Sequence, residues 1–169
     1  DGGNISSVRL PIEDNADFQA SCTVNWWNGV DNSYFGLYVG YKDWDNYTAL
    51  RITANGYYQA RIKVKGIDIG MQEGEYVQNS GYEDPTTLNI IRIADQIFFS
   101  IDGKVVYTSD YEYLIGNDIG LYVSGKQSAT FDNLKVVKLS NANYSNDDEY
   151  ISRPDSGWVG NGSGFFIST

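Results

Sequence analysis

The stretch that decides the fold is Thr86–Lys138. It opens with TTLNIIRIADQIFFSIDGKVVYTS (Thr86–Ser109) and continues through DIGLYVSG (Asp118–Gly125) to SATFDNLKVVK (Ser128–Lys138). Short apolar runs are separated by Asp-Gln and Asp-Gly. Asp-Gly between alternating runs is a strong hairpin signal, because the tight turn needs positive φ and Gly supplies it. The spacing predicts that Ile97–Ile101 and Lys104–Thr108 pair across Asp102-Gly103. Leu88–Ala94 precedes them in the same antiparallel meander.

The same grammar extends towards the N-terminus. A first strand is expected near Val8–Ile12. Phe18–Trp27 alternates, with Phe18, Ala20, Cys22, Val24 and Trp26 on one face and Gln19, Ser21, Thr23, Asn25 and Trp27 on the other. After the turn chemistry of Asn28–Ser33, Tyr34–Tyr41 puts Phe35, Leu37, Val39 and Tyr41 towards a core. Tyr47–Thr53 pairs with Tyr57–Val64 across Asn55-Gly56. Lys65–Pro85 reads as a long connection carrying a short strand near Ile67–Met71. Many short strands with turns between them, and no helical period with caps, predict an all-β, two-sheet antiparallel sandwich or barrel. Phe35, Leu37, Leu50, Ile62, Ile90, Phe99, Leu121 and Phe131 are the expected core. Beyond residue 140 the texture changes to Asn, Ser, Asp and Gly, so 1–140 is read as the sandwich and 141–157 as a linker.

Composition narrows the function. The 169 residues carry 12 Lys+Arg against 22 Asp+Glu, a net charge of −10. Such a chain is a poor partner for nucleic acid or an anionic membrane, where Lys and Arg must neutralise phosphate. No apolar run approaches the ~20 residues of a membrane span. The chain has no histidine, so no Ser-His or Cys-His nucleophile pair forms within it. Its one cysteine, Cys22, has no disulfide partner in the chain and reads as a small buried hydrophobe. The chain opens on Asp1, with no leader sequence, which is read as a trimmed mature start or a fragment boundary.

Phe18–Lys138 resembles the concanavalin A-like lectin and glucanase superfamily, above all its laminin G-like sandwiches. The residues that carry the likeness are Tyr34-Phe35-Gly36-Leu37, Asn46-Tyr47, Leu88–Arg92, Ile97–Gly103, Ile119–Tyr122 and Phe131–Val136. The resemblance implies a jelly roll of two curved sheets, a ligand on the concave face, calcium in many members, and a bacterial protein that is secreted, periplasmic or at the cell surface. Gly162–Ser168 is similar to the strand that opens trypsin-like serine protease domains. That likeness makes 158–169 the start of a truncated protease domain, with the downstream protease as a partner.

Three functions stay open. The first is a non-catalytic module for glycan or cell-wall polymer. Alternation places Tyr34, Tyr38, Tyr47, Arg51, Tyr57, Gln59 and Arg61 on the face opposite the core, where rings can stack on sugar C–H faces while Arg and Gln bond hydroxyls. The same side chains would also serve as cross-strand pairs stabilising a half-solvated sheet. The second is a protein-binding or regulatory domain for the protease. The third is a glycoside hydrolase, for which Ile67–Glu73 is the one look-alike of the superfamily's catalytic strand. Gly66 stands where that strand needs its first Glu, which removes one of the two carboxyls a retaining pair requires, so no catalytic residue is assigned. For calcium, Asp31, Asp43 and Asp45, with Asn32 and Asn46, offer oxygen ligands around two loops; the same residues are ordinary turn formers.

Overall fold

The computed structural model describes residues 3–9, 16–76, 85–94, 96–110, 114, 116–139 and 165–168. Along them the chain forms β1 Gly3–Arg9, β2 Phe18–Gly29, β3 Tyr34–Asp43, β4 Asn46–Thr53, β5 Tyr57–Val64 and β6 Ile67–Glu75. It continues with β7 Thr86–Ile93, β8 Gln96–Ile101, β9 Lys104–Ser109, β10 Asp118–Ser124, β11 Gln127–Lys138 and β12 Phe165–Ser168. Two six-stranded antiparallel sheets result, ordered β1-β10-β3-β4-β5-β6 and β12-β11-β2-β7-β8-β9. The expected all-β sandwich is the observed fold.

The core lies between the sheets and takes the inward-facing set of each strand. Phe35, Leu37, Leu50 and Ile62 from the first sheet meet Ile90, Phe99 and Phe131 from the second, and Leu121 joins them; all eight are buried. Cys22 sits among them, and burial pushes its thiol pKa well up, so it behaves as a hydrophobe.

The turns follow the predicted chemistry, with one addition. Asp102 and Gly103 both adopt positive φ, 49° and 80°, between β8 and β9. Lys65 and Gly66 do the same, 50° and 79°, between β5 and β6, so Lys65–Pro85 begins with a hairpin rather than an open connection. A positive-φ Lys is uncommon. It is held because its N–H donates to Asn46 Oδ1 at 3.0 Å, while Gly66 N–H donates to the Asp45 carbonyl at 2.9 Å. The neighbouring β3–β4 turn thus fixes this one.

Two boundaries and one facing differ from the sequence reading. β6 extends past Met71 to Glu75. β1 begins at Gly3 because its polar residues pair along β10, from Gly3 opposite Ser124 to Arg9 opposite Asp118; Leu10–Ile12 lie outside the described residues. Tyr41, expected in the core, packs on the opposite face. The cause is Gly40, at φ 59°, where the register of β3 against β10 shifts by one residue. Such a bulge reverses every later side chain.

The linker at 141–157 and the segment 158–164 lie outside the described residues. Phe165–Ser168 pairs antiparallel with β11, Phe165 opposite Phe131 and Ser168 opposite Ser128. The backbone of that strand therefore has its partner inside this sandwich.

Candidate functional site

The outer face of the first sheet carries the chemistry, and strand register arranges it in rows. Tyr122, Gly36, Arg51, Gln59 and Glu73 lie opposite one another across β10, β3, β4, β5 and β6. The adjacent row is Gly120, Tyr38, Ala49, Arg61 and Met71. Across β10, β3 and β4 large side chains alternate with small ones, so the rings of Tyr122 and Tyr38 and the Arg51 guanidinium fill the space their glycine or alanine neighbours leave. Gly36 shows this most sharply: a Cβ there would stand 2.3 Å from the Leu50 carbonyl oxygen and 2.6 Å from Arg51 Cα.

All seven residues assigned from alternation lie on this face, but they divide into a closed half and an open half. The closed half is aromatic. Tyr38 has no exposed surface, Tyr47 and Tyr122 almost none, and with Ala49 they form a second apolar cluster. The Tyr38 ring lies 5.0 Å from that of Tyr47 and 5.1 Å from that of Tyr122, with Tyr41 and Trp44 edge-on at 6.3 and 6.4 Å. Ile5 and Tyr34 pack against the same group. Tyr38 and Tyr47 are therefore rings stacked on other rings, not platforms open to a ligand. Burial pushes the pKa of both phenols up. Among the described residues the buried Tyr47 hydroxyl has no hydrogen-bond partner.

Arg51 joins the two halves. It is buried, donates Nε–H to Gln59 Oε1 at 2.7 Å and Nη1–H to the Tyr38 hydroxyl at 3.1 Å, and lies 4.7 Å from the Tyr34 ring centroid. Gln59, also buried, passes the chain on by donating Nε2–H to Glu73 Oε1. A buried guanidinium is tolerable only when its donors are matched, and this ladder matches two of them.

The open half lies over β5 and β6. Tyr57 is 46% exposed and Met71 50%; Asp68, Glu73 and Glu75 are exposed as well, and Tyr34 and Arg61 partly so. Arg61 grips Asp68 with both arms, Nε to Oδ1 at 2.5 Å and Nη2 to Oδ2 at 2.8 Å. That hydrogen bond holds the Asp68 carboxyl below the usual carboxylate range. Of the seven assigned residues, Tyr34, Tyr57 and Arg61 reach solvent, while Tyr38, Tyr47, Arg51 and Gln59 form the supporting layer. Sequence reasoning weighed Asp68 and Glu73 only as carboxylates of the Ile67–Glu73 glycosidase look-alike, not as binding groups, and it passed over Tyr122. Period 2 from the core residue Leu121 turns Tyr122 outward, and that signal was available.

The acidic loop residues do not fit a shared calcium site. Asp31 precedes β3 and Asp43 and Asp45 end it, so the two loops sit at opposite ends of a ten-residue strand. Asp43 Oδ1 already accepts from the Asn46 amide at 2.7 Å and from Asp45 N–H at 3.0 Å. The Asn46 bond holds the Asp43 carboxyl below its ordinary pKa. Among the described residues no group of three such side chains gathers. Asp31 and Asp45 stand in two separate turns, and Asp43 closes β3.

No protein-family model matches the sequence, and no curated protein does. Solved structures share the fold at low identity. The chain is similar to the carbohydrate-binding module CBM66 from Bacillus subtilis, with TM-score 0.56 and 15% identity over 80% of this chain and 83% of that one. It is similar to a human galectin-16 double variant, with TM-score 0.55 and 11% identity over 79% and 94%. The binding domain of botulinum neurotoxin serotype D gives TM-score 0.57 and 13% identity, over 83% of this chain and 39% of that one. The protease likeness of Gly162–Ser168 is not borne out by any of these comparisons. At these identities the likeness fixes the architecture, a β-sandwich of the kind that carbohydrate-binding modules and galectins also use.

Proposed function

We propose that this sandwich is a non-catalytic carbohydrate-recognition module whose ligand rests on the open half of the first sheet's outer face. The observation that carries the reading is the union of exposed aromatic surface, Tyr57 and part of Tyr34, with fixed polar groups on β5 and β6. A sugar needs both: apolar C–H faces stack on rings, and hydroxyls need donors and acceptors already in position. The buried ladder Tyr38–Arg51–Gln59–Glu73 holds Glu73 from behind, which lowers the ordering cost of binding. Fold kinship with a carbohydrate-binding module and a galectin supports the same reading.

The carboxylates argue against hydrolysis. Asp68 is closed on Arg61, and Glu73 accepts from Gln59. A glycosidase acid must hold a proton near neutral pH, whereas Arg61 drives Asp68 the other way. The test is a glycan array followed by titration calorimetry on the hits. Saturable binding without turnover supports the reading. Glycan release that is lost in Asp68→Asn or Glu73→Gln variants contradicts it, and so does the absence of any glycan ligand.

A further inference from the structure

On the outer face of the first sheet the cations face inward to partners and the carboxylates face out. Arg51 is 3% exposed and spends its donors on Gln59 and Tyr38. Arg61 is closed bidentately on Asp68. Lys63 Nζ lies 3.9 Å from Asp45 Oδ1. Asp68, Glu73 and Glu75 are all exposed, all on β6, and no cation stands on that strand. The whole chain carries −10.

We infer that the face accepts saccharides that are uncharged or carry an ammonium group, and rejects those bearing carboxylate, sulfate or phosphate. This rests on the recognition reading above and sharpens it. An anionic sugar reaches the Arg61 guanidinium only by displacing Asp68, and the neighbouring Lys63 already stands against Asp45. The displacement exchanges a preorganised two-armed ion pair for an equivalent one and leaves Asp68 beside the incoming anion. Uncharged hydroxyls face no such exchange. A carboxylate offers about four lone-pair sites, and Gln59 uses one on Glu73, so hydroxyl donors find acceptors in place. An ammonium group gains in addition from Glu73 and Glu75, the two β6 carboxylates that the Arg61 fork does not hold, and salt weakens that gain.

Two arms test this on the full chain. An array presents matched oligosaccharides in neutral, amino-substituted and acid-substituted forms. The inference expects the neutral and amino forms to bind and their acidic counterparts to bind at least about tenfold more weakly, with the gap narrowing as salt rises. Acidic forms binding as well as or better than their neutral counterparts would overturn this inference and leave the recognition reading intact. No binding by any form overturns that reading, and this inference with it. The second arm is Asp68→Asn, which releases the Arg61 fork. It should raise the acidic-to-neutral affinity ratio by about tenfold. An unchanged ratio in a folded variant would show that Arg61 closure is not what excludes the anion.

Discussion

Tyr38 separates a supporting role from a ligand-contacting one, and its removal has a definite expected cost. The side chain is fully buried although it stands on the face away from the main core. Truncating Tyr38→Ala removes a ring packed within 5.1 Å, centroid to centroid, of both Tyr47 and Tyr122. Large-to-small changes of a buried aromatic cost about 3–5 kcal/mol, from lost transfer energy and the cavity left behind. The milder Tyr38→Phe keeps the ring and deletes only the acceptor for Arg51 Nη1. A hydrogen bond to a charged donor is worth about 1.5–3 kcal/mol. Urea unfolding followed by tryptophan fluorescence reads both. Against a total stability of about 5–15 kcal/mol, the alanine variant should lose a large share of its midpoint and the phenylalanine variant a moderate one. If Tyr38→Ala instead costs under about 1 kcal/mol while abolishing saccharide binding, the ring faces a ligand and the division into closed and open halves is wrong.

The converse holds for Tyr57: being 46% exposed, its Tyr57→Ala variant should unfold within about 1 kcal/mol of the parent yet lose roughly tenfold in glycan affinity, as calorimetry on the array hits would show. Gly36→Ala forces a Cβ to 2.3 Å from the Leu50 carbonyl oxygen; since that contact is backbone, the strands must part, and thermal unfolding should reveal a loss of about 3 kcal/mol or more. Stability should also fall at alkaline pH. Burial raises the folded pKa of Cys22 above its ordinary 9.0 and that of Tyr38 above 10.0. Each therefore stabilises the fold below its unfolded pKa, and that contribution is lost as pH rises beyond it. Cys22→Ala should delay the onset of the decline from about pH 9 to about pH 10. An onset that does not move would show that the thiol is not protonated by burial.

The architecture was legible because alternation and turn chemistry are local signals. Asp102-Gly103 and Asn55-Gly56 announce their hairpins, and the period of 2 from Phe35 to Val39 fixes inside and outside. Tyr41 broke the pattern because nothing in YVGYK marks Gly40 as a bulge rather than an ordinary outward position; only pairing with β10 reveals the shift. The hairpin at Lys65-Gly66 was hidden for a similar reason. Its positive-φ lysine is held by Asn46 and Asp45 from a different turn. For the candidate site, period gave the face but not the exposure. Whether Tyr38 and Tyr47 are open depends on Tyr122, Tyr41, Trp44 and Ile5 converging from β10, β3, the β3–β4 turn and β1, and their meeting follows from strand order. That Asp31 does not share one site with Asp43 and Asp45 was legible in the sequence, since a ten-residue strand stands between Asp31 and the other two.

The recognition claim is tested most directly by titrating isotope-labelled protein with an array-selected saccharide and mapping the amide shifts. The account predicts that saturable shifts concentrate at Tyr34, Tyr57, Gln59, Arg61, Asp68 and Glu73, over β5 and β6. Little should change along β7, β8 and β9 of the second sheet. Shifts centred on the second sheet or on the Val30–Ser33 loop, with the β5–β6 amides unmoved, would contradict it.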